Sequence, residues 1–444
     1  MKQLLIALTL LTALTLPVLG QDNQEFDLPM TVQTALKNHP SLRGMEAQVE
    51  AAQARLKQAA AGYAPKVNAT LSYTLLQKDP SFTVMPFGTL VFGEKDNKQV
   101  SLTLQFPLST GGKLEGMTRQ ARAGVEALES ALDRQRQTVA TEATIAYLNV
   151  LKARGFVKVA EDQLKALESQ RNSIAKMLER GVATRIDLLR AETAVSAAQE
   201  MLTKAKNGEA VATAALANAM GLQQRIGLKV QGSVEAASPF PPHPATLEEA
   251  IAEALRARPE LRQVGANRQA AEAGVQVARS GQKPSVGLFA QYDAERPTFM
   301  PRTGKWSAGV ALTMNLSDGG TTKAEVAQAR AHIAQVDAAL EELRNGIVLQ
   351  VTAAFLNVQS AKERLATTEK AVATAEEGVR LTQLGYQNGV NTITDFLAAQ
   401  AELTKAQNDR VTALFDLRAA EAELQYAMGR QPYEAGIRGS QKGS

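Results

Sequence analysis

Two short stretches of the chain combine a glycine, a threonine and an aspartate at one spacing: ERGVATRIDLLRAE, from Glu179 to Glu192, and QNGVNTITDFLAAQ, from Gln387 to Gln400. Gly181 leads to Thr184 and Asp187; Gly389 leads to Thr392 and Asp395. The chemistry open to these residue types is electrostatic rather than covalent. A glycine adopts φ > 0 without a Cβ penalty and so closes off the last carbonyls of a helix. Thr-x-x-Asp then restarts a helix as a capping box, with the carboxylate favoured by the helix dipole. A functional reading coexists with this structural one. If several such turns converge on an axis, their carboxylates form a ring that attracts cations and narrows a pore. Tyr386, just before the second turn, reads equally as seam packing or as a contact at that constriction.

Other chemistries find no residues to carry them. The 444 residues include no cysteine, which removes disulfides, thiolate metal sites, cysteine nucleophiles and a lipidated N-terminus. His39, His243 and His332 lie far apart in different segments, so no metal site is expected. LSTGGK, from Leu108 to Lys113, lacks the leading glycine spacing of a phosphate-binding loop and reads as a strand-to-helix turn. The net charge of +4 is small and scattered, leaving no footprint for nucleic acid. The chain reads as a non-enzyme with no cofactor.

The turn occurs twice because the unit that positions it occurs twice. ALKNHPSLR, Ala35 to Arg43, aligns with ALRARPELR, Ala254 to Arg262, at an offset of 219 that also pairs Pro65 with Pro284 and Tyr73 with Tyr292. Beyond that the offset is 208, pairing LSTGG at Leu108 with LSDGG at Leu316, YLNV at Tyr147 with FLNV at Phe355, and AMG at Ala219 with AMG at Ala427. The first copy therefore holds 11 extra residues between Tyr73 and Leu108. This divides the chain into a first repeat over residues 21–222, a proline-rich linker over 223–245, a second repeat over 246–430 and a tail over 431–444.

Each repeat opens with a short amphipathic helix stopped at His39-Pro40 or Arg258-Pro259, then an alanine-rich helix reaching Gly62 or Gly281. The period then changes to two. VNATLSYTL from Val67, QVSLTLQF from Gln99 to Phe106, VGLFAQY from Val286 to Tyr292 and WSAGVALTM from Trp306 to Met314 alternate apolar and polar residues, though Phe289 falls on the polar face. One hairpin per repeat follows, its outer loops spanning Gln77 to Lys98 and Asp293 to Lys305. After each hairpin a proline-free helical pattern runs from about Lys113 to Arg180 and from Thr321 to Asn388, roughly 100 Å at 1.5 Å per residue. Val157, Ala160, Leu164, Leu167, Ile174 and Leu178 follow heptad spacing, as do Leu365, Thr368, Val372, Ala375, Val379, Thr382 and Tyr386. The Gly-x-x-Thr-x-x-Asp turn is thus the tip of a long helical hairpin.

Residues 1–20 read as a secretory leader: Lys2, an apolar run from Leu4 to Leu19, and small residues before a cut after Gly20. No later stretch is apolar for long enough to be a membrane helix. Taken in order, leader, hairpin, long helix, tip and return helix, duplicated from about Asp27 to Gly429, resemble the TolC family of outer-membrane channel proteins. The resemblance implies a mainly α fold with a membrane β-barrel, in which a homotrimer contributes four strands per chain to a twelve-stranded barrel continued by a periplasmic α-helical barrel. It implies a tip and gate formed by Tyr386, Gly389, Asp395, Gly181 and Asp187, with Thr184 and Thr392 as helix caps. Ala398 and Arg190 depart from members that carry a further acidic residue there, and Asn391 from members with a basic one, implying a less acidic constriction with different locking contacts.

The function so implied is an exit duct in the outer membrane of a Gram-negative bacterium, projecting into the periplasm. It would passively conduct small toxic compounds delivered by an inner-membrane transporter through a periplasmic adaptor protein. Protein export in a type I secretion system is the alternative; a periplasmic coiled-coil scaffold is remoter, because a scaffold has no need of lipid-facing strands. Four strands cannot close a barrel alone, whereas three chains supply enough, with apolar faces to lipid and polar faces to a water-filled lumen. Tyr73, Tyr292 and Trp306 then suit either membrane interfaces or ordinary strand packing.

Overall fold

The structure is a computed structural model describing residues 25–91, 95–222, 228–233, 240–295 and 303–430. The expected leader and tail lie outside the described residues, as do 223–227 and 234–239 of the expected linker. The first repeat contains β1 (Glu25–Phe26), α1 (Leu28–Asn38), α2 (Pro40–Ala60), β2 (Lys66–Leu75), β3 (Ser81–Val84), β4 (Gly88–Val91), β5 (Asp96–Ser109), α3 (Lys113–Glu179) and α4 (Arg185–Ala219). After β6 (Lys229–Val230) come α5 (Leu247–Ala257), α6 (Pro259–Arg279), β7 (Ser285–Glu295), β8 (Thr303–Thr313), α7 (Thr321–Gln387) and α8 (Ile393–Ala427).

The corner between α1 and α2 follows from Pro40, which holds His39 extended at φ −64°, ψ 125° and then occupies the first helical position. Arg258 repeats those angles before Pro259. Each corner abuts the end of its own return helix. Gly221 and Gly429 take φ of +68° and +79°, and a Cβ on Gly221 would lie 2.8 Å from the Asn38 carbonyl oxygen. That contact explains the glycine in both AMG motifs.

The four long strands form one antiparallel sheet in the order β2-β5-β7-β8, so the two hairpins join through β5 and β7. The ladder pairs Ala69 with Leu102, Leu102 with Tyr292, and Tyr292 with Trp306, while Asn68 faces Thr103, Thr103 faces Gln291, and Gln291 faces Ser307. The period of two therefore gives one face that is apolar across all four strands, apart from Asp96 and Lys98 at the loop end of β5, and one largely polar face. Phe289, the residue out of step, lies over Gly309, where an added Cβ would sit 3.1 Å from its ring.

Two strand boundaries differ from the sequence reading. Asp96 to Lys98 belong to β5 rather than to a loop, because their backbones continue the ladder opposite Tyr73, Thr74 and Leu75. Within the same loop β3 and β4 form a second hairpin, turned at Gly88 and cross-linked by Thr83 and Thr89 hydroxyls at 2.9 Å. In the second repeat Asp293 to Glu295 pair with Thr303 to Lys305, and the remainder of that loop, 296–302, lies outside the described residues. The short parallel pair β1 and β6, two residues each, also lacked a sequence signal.

Below the sheet, α3 and α7 are each 67 residues long. Helices α2 and α4 pack on α3, while α6 and α8 lie between α3 and α7. Helix α1 covers α3 in a core of Leu28, Val32, Val139, Ala143, Tyr147 and Leu216; α5 covers α7 in a second around Ala250, Ile347, Val351 and Leu424. Among the described residues no helix is long and apolar enough to cross a membrane.

Candidate functional site: the hairpin tips

Each tip begins where a long helix runs out of backbone N–H donors for its last carbonyls. At the end of α3, Gly181 adopts φ +73°, its N–H donates to the Leu178 carbonyl at 3.0 Å, and Val182 N–H donates to that of Met177 at 2.9 Å. At the end of α7, Gly389 has the same φ, donating to Tyr386 at 3.1 Å, with Val390 N–H donating to Gly385 at 2.8 Å. Both are left-handed caps that satisfy orphan carbonyls.

The restart is equally duplicated. The Thr184 hydroxyl accepts from the Asp187 N–H at 3.3 Å, while Asp187 Oδ2 accepts from the Thr184 N–H at 3.0 Å and from its hydroxyl at 2.6 Å. Thr392 and Asp395 repeat these bonds at 3.2, 2.8 and 2.8 Å. Backbone and hydroxyl donors from Thr392 stabilise the charged form of Asp395, holding its carboxyl below the usual range. Each capping carboxylate bonds through Oδ2 alone, so capping and a field-generating role are compatible.

The two tips meet. Ile174, Leu188, Ala191, Ile393 and Phe396 form a small core flanked by Leu178, Val379 and Tyr386. Burial raises the Tyr386 phenol above its ordinary value, and the Asp187 charge from the other tip raises it further. Arg190 reaches across from α4 to donate to the Thr394 hydroxyl at 2.9 Å. Asn391 is tied by its N–H to the Gly385 carbonyl at 3.1 Å. Sequence reasoning marked Arg190 only as a departure; its cross-tip bond has no local signature, since the residues are 204 apart. Val182 and Val390, equivalent at offset 208, project at 75% and 81% exposure, and Ile186 and Leu189 extend that apolar end. No group of three or more His, Asp or Glu able to hold a metal ion occurs among the described residues.

A duplicated long-helix hairpin joined to a four-stranded sheet, with paired tips at the far end, is the protomer architecture of TolC-like outer-membrane channels. Residues 31–222 and 250–430 match the family described as outer membrane efflux protein, and the chain belongs to that family. It is 25% identical over 434 residues to the outer membrane efflux protein BepC of Brucella suis, covering 95% of this chain and 91% of that protein. It is also 25% identical over 341 residues to the alkaline protease secretion protein AprF of Pseudomonas aeruginosa, covering 75% and 70% respectively. The open-state MtrE outer membrane channel of Neisseria gonorrhoeae shares the fold at a TM-score of 0.75 and 20% identity, covering 91% of this chain and 89% of that one. The expected family and outer-membrane location thus stand: this is a transport channel protein of the outer membrane, from a family of channels rather than enzymes.

Proposed function

We propose that three copies assemble into an exit duct for a tripartite efflux system, closed at rest by the hairpin tips. The observation that carries this reading is the sheet. Its apolar face is bare along its length: Leu71, Trp306 and Leu312 are 77%, 78% and 69% exposed. Its outer edges, on β2 and β8, have no strand partner among the described residues. A bare edge is untenable in lipid, where every backbone polar group needs an internal partner. Because four strands alternate in direction, β8 of one copy meets β2 of the next antiparallel, and three copies close twelve strands without a clash of polarity. Lipid then covers the apolar face, with Tyr292 and Trp306 on that face, and Asn68, Thr103, Gln291 and Ser307 line the lumen.

At the far end, contacts of Tyr386, Asp187, Arg190 and Thr394 hold the tips together, and Asp395 supplies negative potential at the constriction. The exposed Val182 and Val390 suit an apolar periplasmic adaptor, which would hand over small toxic compounds from an inner-membrane transporter. Similarity to AprF favours a second reading, the outer-membrane component of a type I protein secretion system.

The test is single-channel conductance of detergent-purified protein in planar bilayers, wild type beside Asp395→Asn, with oligomer mass measured on the same sample. Small cation-preferring steps whose selectivity falls in the variant are expected. Conducting trimers with identical selectivity would return Asp395 to a capping role alone, and a soluble monomer would end the duct reading. Loss of the gene would sensitise cells to small toxic compounds under the efflux reading and deplete secreted proteins under the other.

A further inference from the structure

Where the long helices meet the sheet, two crevices adjoin. The first, about 730 Å³, runs between α2 and α3, with Arg55 and Lys66 beside an apolar floor of Leu114, Met117 and Leu128. The second, about 700 Å³, lies between α3, α6 and the feet of β7 and β8, with Lys113, Lys283 and Glu325 around Ser285 and Thr313. Gln120 lines both, so they share a wall.

Both open on the polar face of the sheet. Lys66 stands opposite Gln105, on the side of Asn68 and Thr103, and Ser285 stands opposite Thr313, on the side of Gln291. That is the lumenal side of the duct proposed above, so the crevices face what passes through it rather than lipid.

Close packing sets the cations around this depression. A Cβ on Gly62 would lie 2.6 Å from Leu114 Cδ2, which seats the end of α2, and Lys66 after it, on the start of α3. A Cβ on Gly111, two residues before Lys113, would lie 2.7 Å from the Lys283 Cβ. The side chains of Arg55, Lys66, Lys113 and Lys283 are all exposed, and none has a hydrogen bond or ion pair among the described residues. Glu325 is the one carboxylate among the described residues that line the two crevices.

The duplication separates these charges from the scaffold that carries them. Gly281 repeats the close packing of Gly62, with an added Cβ 2.7 Å from the Thr322 hydroxyl. The cations do not repeat: the counterparts of Arg55, Lys66 and Lys113 are Gly274, Ser285 and Thr321, and that of Lys283 is Ala64. The helix-to-strand junction therefore forms without them, and they are free to serve a ligand.

Unpaired cations beside an apolar floor complement a molecule with an anionic head on an apolar body. We propose that this junction is a lumenal binding site for small anionic amphiphiles, such as aromatic carboxylates. Arg55 and Lys66 hold the head, Lys113 and Lys283 extend the positive field, and Leu114, Met117 and Leu128 carry the body. This rests on the duct reading and names a class of cargo for it. The acidic tips do not cancel the field, because the 67 residues of α3 lie between. That is roughly 100 Å, against a screening length of about 10 Å at 0.1 M salt.

The test is equilibrium dialysis of naphthoate against the full chain in phosphatidylcholine nanodiscs, with empty nanodiscs as the blank and oligomer mass measured on the same sample. Saturable binding is expected, weakening as salt rises. Arg55→Gln and Lys66→Gln together should weaken it about tenfold or more with an unchanged melting temperature, both sites being exposed. Glu325→Gln should tighten it. Naphthylmethylammonium, the same body with the opposite charge, should not bind. Trimers that show no saturable binding, that take the ammonium equally well or that ignore the double substitution would overturn the site and leave the duct standing. Binding that vanishes when the lipid is changed to phosphatidylglycerol would assign the crevice to a lipid headgroup and overturn the cargo reading. Monomers that bind naphthoate would end the duct, and with it the lumenal role of the site.

Discussion

Leu148 and Leu356 occupy the same seat in YLNV and FLNV, yet Leu148 is 3% exposed and Leu356 53%. The difference extends along the helices that carry them. Twenty-one residues of α3 are buried, from Gly116 to Ile174, against six in α7: Thr322, Ile347, Val351, Ala354, Val358 and Ala361. Both helices have the same length, the same left-handed glycine before them and the same tip after them. What separates them is neighbours. Helix α3 lies within a row of helices, flanked by α2 and α4 on one side and α6 and α8 on the other, whereas α7 is its edge. Leu349, Leu356, Leu381 and Leu384 are left bare on that edge at 70%, 53%, 54% and 43% exposure. Apolar side chains aligned along a helix edge mark an interaction surface. The contrast between α3 and α7 teaches that two helices of equal length are enclosed or bare according to their neighbours, and the proposed trimer would cover the bare one with another copy.

The largest test of that contrast is a matched truncation. Leu148→Ala should cost about 2–5 kcal/mol in chemical unfolding, as buried leucine truncations do. Leu356→Ala should leave the separated chain within about 0.5 kcal/mol of wild type while lowering trimer survival on heating. Equal losses in the separated chain would show that α7 is not an open edge.

A smaller effect asks whether the two tips, unlike the two long helices, are alike. Thr184→Ala and Thr392→Ala should each destabilise the local helix start by about 1 kcal/mol, read by amide hydrogen exchange over 184–188 and 392–396. A clear inequality would mean that one cap is reinforced from elsewhere. Arg190→Ala removes the 2.9 Å bond to Thr394 without touching either cap. It should raise conductance with little change in the melting temperature; unchanged conductance would remove Arg190 from the closing contacts.

The smallest effect is protonation of Asp395. Its folded-state carboxyl lies below the usual range, so its contribution is present above the ordinary carboxylate value and is lost as pH falls through the depressed one. Tip order and cation preference should therefore persist through mildly acidic solution and fade only below about pH 4. Fading near neutrality would point to a group other than this carboxylate.

Much of the protein was legible from the chain alone where the cause is local. Gly181 and Gly389 with their Thr-x-x-Asp sequels announce a stop and a restart because caps involve residues only three to six apart. The apolar and polar faces of β2, β5, β7 and β8 follow from a period of two, and the length of α3 from 67 residues without proline. Less legible were β3 and β4, whose four-residue strands are too short to show a period, and Asp96 to Lys98, polar residues drawn into a strand by a ladder begun elsewhere.

Within the tips, the caps lay open in the sequence, but the nearness of Tyr386 to Asp187 and the bond from Arg190 to Thr394 did not. Those pairs come from helices in different repeats, and nothing in the intervening 200 or so residues marks them. The sequence by itself determined where helices start and stop, which strand face is apolar and that the unit is duplicated, because backbone dihedrals and caps answer to near neighbours. Only the tertiary structure decided which copy of each element is enclosed and which forms an edge, because burial depends on chain far away in sequence, and two nearly identical repeats joined in one chain cannot have identical surroundings.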